Sequence, residues 1–95
     1  MITKAFSIFD KKVASYGQPF FLNHVGHALR AAEQAANDVS SSLGQFPTDY
    51  SLYQIGEFDD QSGEMKPCKA IHIAELSALV RHVPRMDLFE KGETE

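Results

Sequence analysis

Tyr50-Ser51-Leu52-Tyr53-Gln54-Ile55-Gly56-Glu57-Phe58-Asp59-Asp60-Gln61-Ser62-Gly63-Glu64 joins the clearest strand of the chain to its clearest turn. Tyr50, Leu52, Tyr53, Ile55 and Phe58 are aromatic or aliphatic residues at close spacing, a run that suits a pleated sheet better than a helix. Asp59, Asp60, Gln61, Ser62 and Gly63 then form a cluster of turn residues. Gly63 stands where a type I turn closing into a bulge needs a residue that tolerates positive φ. The segment reads as a central strand with a hairpin exit, and a returning strand is expected from about Met65 to Ala74.

Upstream, Ile2 to Asp10 is rich in strand formers, with Phe6 and Ile8 on one face and Ala5, Ser7 and Phe9 nearer the other. Tyr16-Gly17-Gln18-Pro19 reads as a turn, and Phe20-Phe21-Leu22 as a short second strand that Pro19 places at an edge or a strand start. After Asn23, a good N-cap, the period changes. Val25, Leu29, Ala32, Ala36 and Val39 recur along one helical face, which predicts the main helix over about Asn23 to Asp38. Its narrow, alanine-rich stripe can pack on its own sheet. The same Val25, Leu29, Ala32 and Ala36 are the candidate residues for an oligomer interface.

Ser40 to Ser42 and Gly44 read as a flexible connection, and Phe46 as an anchor beneath the loop that leads back to the central strand. Beyond the hairpin, Pro67 marks an edge strand. Leu76, Leu79, Val80 and Val83 then predict a short second helix over Glu75 to His82, which Pro84 ends. The fold class is therefore α+β: a small, mostly antiparallel sheet of three to four strands packed on one main helix, with a short second helix. A single domain spans 1–86, and an acidic flexible tail covers 87–95.

Composition bounds the function. With 95 residues there is room for one core, and 43% hydrophobic and 23% charged residues place the chain among ordinary globular domains. The net charge of -4, from 9 Lys and Arg against 13 Asp and Glu, argues against a simple basic clamp on nucleic acid. The single cysteine, Cys68, has no intrachain partner, and a small domain without disulfides suits a reducing interior, with the cytoplasm as the expected location. No apolar run reaches the ~18 residues of a membrane span, so no membrane association is expected. So small a core would gain from assembly, and a homo-oligomer is expected.

Pro19-Phe20-Phe21 before a helix, Asn37-Asp38 at its end, Phe46-Pro47-Thr48-Asp49-Tyr50, and above all Leu52-Tyr53-Gln54-Ile55-Gly56-Glu57-Phe58-Asp59-Asp60 followed by Gly63, form a recognisable set. In these residues the chain resembles the small nonstructural protein of the gokushoviruses, single-stranded DNA phages of the Microviridae. The resemblance runs from Ile2 to Glu64. Phe46 and Thr48 stand where that family commonly has a histidine and a glutamate, so no role of that histidine carries over. The resemblance implies a non-virion phage protein acting in viral genome replication in the host cytoplasm. It further implies binding of single-stranded DNA during the switch from duplex copying to single-strand synthesis and packaging. It supplies no catalytic residue and no cofactor.

Single-stranded DNA needs cations for its phosphates and exposed rings for its bases. Lys4, Tyr50, Tyr53, Lys66, Lys69, Arg81 and Arg85 are the candidate residues, and Tyr16 also ranks above the phenylalanines, most of which a chain this small needs for its core. Uncovered rings beside lysines would favour DNA binding. An apolar, charge-poor surface would favour the alternative, an oligomeric interaction module contacting phage or host replication proteins without touching DNA.

No enzyme is expected. Asp59, Asp60, Glu57 and Glu64 lack the spacing of a calcium loop and suit turn chemistry, and His24 with His27 lacks the four-residue step and glutamate of a zinc protease. Cys68 and His72 lack a third orienting group, and a buried cysteine is the simpler reading. No metal site is expected.

Overall fold

The computed structural model describes residues 1–81, so Arg85 and the acidic segment 87–95 lie outside the described residues. The elements in chain order are β1 (Ile2–Asp10), β2 (Ser15–Tyr16), β3 (Phe20–Leu22), α1 (Val25–Ala36), α2 (Ser42–Gln45), a 3-10 turn (Pro47–Asp49), β4 (Tyr50–Asp59), β5 (Met65–Glu75) and a second 3-10 turn (Leu76–Leu79). All strand pairs are antiparallel and belong to one five-stranded sheet, ordered β2-β1-β4-β5, with β3 also pairing β1. Five strands exceed the expected three to four because Tyr16, expected in a turn, is extended and pairs with Phe9.

The hairpin is built as its residues dictate. Gly63 has φ +77° and its N–H donates to the Asp59 carbonyl at 2.8 Å, while the Asp59 carboxylate accepts from the Gln61 N–H at 2.9 Å. The Gln61 N–H, joined by the Ser62 N–H and hydroxyl, holds the Asp59 carboxyl below its usual pKa. Ile55 is unpaired in both ladders that β4 makes, so β4 bulges there. Beside it, a Cβ on Gly56 would meet the Lys66 carbonyl at 2.7 Å, which makes the close approach of β4 to β5 dependent on glycine.

One face of the sheet carries the core. Phe6 and Leu52, which alternate toward that face, are buried against Ala28, Ala32 and Ala36 of α1 and against Leu76. Full burial of Phe6, Leu52 and Leu76 contributes about 1.5–3 kcal/mol each. The alanines let α1 sit close to the strands, and the space their short side chains leave is an apolar cleft of about 200 Å³ between Ile8, Phe20, Ala31, Ala32, Ala35 and Leu43.

Several local expectations are corrected. The helix starts at Val25, with His24 rather than Asn23 in the capping position and no side-chain cap bond. The serine-glycine connection is not slack: Ser41 caps α2 through its hydroxyl, which also donates to the Ala35 and Asp38 carbonyls. Phe46 is 55% exposed and anchors nothing, because α2 brings Leu43 to the core instead. The short second helix is one 3-10 turn, since β5 runs on to Glu75 to complete its ladder with Ser51. Asn37 ties the end of α1 to this turn, its amide donating to the Glu33 and Leu79 carbonyls and its oxygen accepting from the Arg81 N–H.

Candidate nucleic-acid interface

Among the described residues, α1, α2 and both 3-10 turns pack on one another on the core side of the sheet and leave the opposite face open. On that face β1, which pairs with β2, β3 and β4, carries small residues. Ala5 and Ser7 are nevertheless 0% exposed. Their cover is aromatic: Phe21 lies across from Ala5 and Tyr53 across from Ser7, and small centres let flanking rings lean over them. The Ser7 hydroxyl donates to the Gly17 carbonyl at 2.8 Å, so its buried polar group is satisfied.

Four rings form a row across this face, one from each of the neighbouring strands β2, β1, β4 and β5. Phe9 and Tyr16 have centroids 4.7 Å apart, and Tyr53 stands edge-on to Phe9 at 6.0 Å, to Tyr16 at 5.6 Å and to His72 at 5.3 Å. Tyr53 is the hub and is half-buried, whereas Tyr16 and His72 are exposed. Nearer the hairpin turn, Phe21 and Phe58 make a second pair at 5.5 Å.

A polar cluster borders the row. The Glu75 carboxylate accepts from Lys11 Nζ at 2.5 Å and from Ser51 Oγ at 2.8 Å, and lies 2.7 Å from His72 Nε2. The lysine, the serine hydroxyl and the imidazole, in that order, lower its carboxyl from 4.5 to about 2.

The structure separates most of the residues expected to bind DNA. Tyr50 packs on the core beside the helix, so of the two tyrosines only Tyr53 is on the open face. Lys4 shares the face of Phe6 and lies in a row with Glu57 and Lys66, where the glutamate stands between the two lysines. Lys69 falls in the irregular stretch of β5 between Pro67 and Ile71, on the sheet edge. Arg81 lies beside α1, with Nε 3.5 Å from a Glu33 carboxylate oxygen, remote from the aromatic row. The proposed oligomer seam is also corrected: Ala32 and Ala36 are buried in the core of this chain, and Val25 and Leu29 pack against it, so the helical stripe is not a free surface.

His72 has no place in the expected site, yet it belongs to the row together with Phe9, one of the predicted-strand rings that could stack bases and that the alternation of β1 places with Ala5 and Ser7. Lys11, Ser51 and Glu75 carried no sequence signal, because they meet only through tertiary pairing. Cys68 is exposed on the edge strand, which corrects its reading as buried. Among the described residues, no group of three or more His, Cys, Asp or Glu is placed to hold a metal ion, and no helix is long and apolar enough to cross a membrane.

The model of a family described as Phage ORF5 protein aligns with residues 3–79, which takes in β1 from Thr3 onward, the other four strands and α1. No curated protein and no solved structure matches the chain.

Proposed function

The chain belongs to the Phage ORF5 protein family and is a phage protein, and from that premise we propose that it binds single-stranded DNA weakly during viral genome replication. The supporting observation is the row of Tyr16, Phe9, Tyr53 and His72 on a sheet face that, among the described residues, no helical element covers. Aromatic side chains on an open sheet stack bases without reading sequence. The likeness to the gokushovirus nonstructural protein supplies the process: the switch to single-strand synthesis and packaging, inside the infected bacterium. Net charge keeps the affinity modest, since Lys11, a cation that borders the rings, is paired with Glu75.

The test is anisotropy of a fluorescent oligo-dT, with duplex DNA of the same length beside it, across a salt series. Binding should prefer the single strand and weaken as salt rises. Tyr53→Ala should weaken it by about 1–3 kcal/mol, the range for losing one stacked base. Tyr50→Ala, which alters the core side, should leave the affinity of the folded protein unchanged. Equal loss in both variants would refute the assignment of the open face.

A second reading has its own observation. Phe21 and Met65 are 41% and 50% exposed on the hairpin side of the sheet, where Phe58 joins them. A contact with a phage or host replication protein, or with another copy of this chain, would use this apolar pair of rings rather than the tyrosine row.

A further inference from the structure

Three donors on three segments converge beside the aromatic row: Lys11 Nζ just after β1, Ser51 Oγ on β4 and His72 Nε2 on β5. Their shared acceptor is the carboxylate of Glu75, and this is the arrangement an oxyanion of any kind would find favourable. Ser51 is 2% exposed, so its hydroxyl needs an acceptor there. His72 links the two parts of the face, since the same imidazole that meets Glu75 stands edge-on to Tyr53 at 5.3 Å. A nucleotide whose base lay against Tyr53 would carry its phosphate toward these donors.

We propose that Lys11, Ser51 and His72 form a phosphate seat for the nucleic acid backbone, and that Glu75 fills this seat in the free protein as an internal anion which a phosphodiester displaces. The proposal rests on the single-stranded DNA reading and names the part of the surface that takes the phosphate. Glu75 is suited to the exchange. It ends β5 and its side chain is 37% exposed, so the carboxylate already borders solvent into which it can be displaced. The seat then exchanges one oxyanion for another, which keeps the affinity for DNA low without removing the donors.

The experiment measures oligo-dT anisotropy for the wild type, Glu75→Gln, Lys11→Met, and the two substitutions together, with urea unfolding to verify folding. Glu75→Gln should bind about tenfold more tightly at low salt, the scale of one charge-assisted hydrogen bond. Lys11→Met should bind more weakly than wild type and should cancel the gain when combined with Glu75→Gln. Should Glu75→Gln fail to fold, Lys11→Met decides alone, because Lys11 is exposed. Unchanged affinity in Lys11→Met, or no gain in a folded Glu75→Gln, overturns the seat while leaving DNA binding by the rings in place.

Inorganic phosphate separates the two ideas in the other direction. Followed by the ring resonances of His72, it should bind saturably to Glu75→Gln at concentrations that leave the wild type unchanged. That result with no oligo-dT binding by any variant would retain an anion seat and refute the DNA reading. Resonances unmoved by phosphate in both proteins would overturn the seat.

Discussion

Glu75 gathers Lys11, Ser51 and His72 around one carboxylate at the border of the open face. Its carboxyl is depressed from 4.5 to about 2, chiefly by Lys11 and then by Ser51 and His72. A group whose folded pKa lies below its unfolded value stabilises the fold above the unfolded pKa, and that contribution fades as pH falls through the folded one. The stability advantage of the wild type over Glu75→Gln should thus be present above about pH 4.5 and decline as the pH falls from there to about 2, as urea unfolding at stepped pH will show. An advantage independent of pH down to 2 would mean that the carboxylate is not held by those donors. Residue-scale reading of the sequence succeeded and failed by one rule. Alternation placed Phe6 and Ile8 apart from Ala5, Ser7 and Phe9, and the structure agrees. Tyr50 and Tyr53 were grouped by type, yet residues three apart on a regular strand point to opposite faces. That error was avoidable. The ion pair of Arg81 with Glu33 was not, because it joins segments that only the folded chain brings together.

At the scale of elements, the hairpin and the main helix were the most legible parts, because turn chemistry and helical period are local. The Ser41 cap was missed since a serine-glycine run reads as a loop by composition, while the cap depends on where α1 ends. Ser41→Ala should cost about 1 kcal/mol, the usual loss for an N-cap. Gly44→Ala should be worse, since a Cβ there would fall 1.9 Å from the Asp38 carbonyl oxygen and drive α2 off α1. Thermal unfolding orders these two variants. Gly56→Ala tests the other close approach: its Cβ would meet backbone of β5, so loss of hydrogen-exchange protection should begin in the β4-β5 hairpin rather than in α1. Leu52→Ala, by contrast, empties the core between sheet and helix and should cost about 2–5 kcal/mol across the whole fold.

For the whole molecule, the consequence of a thin alanine-lined core is a sheet with one protected and one open face. Among the described residues, five strands and a single main helix cover one side, and the other is closed over Ala5 and Ser7 by its own rings. These rings stabilise the sheet whether or not a ligand arrives, so substitution alone could confuse stability with binding. Position is the cleaner readout. The most direct measurement is photocrosslinking of oligo-dT carrying 5-iodouracil to the wild-type protein at low salt, with the crosslinked residues identified by mass spectrometry. Crosslinks at Tyr16, Phe9, Tyr53 or His72 are the predicted result. Crosslinks confined to α1 or to the row of Lys4 and Lys66, or none at protein concentrations that saturate anisotropy, would contradict the open face as the DNA-binding surface.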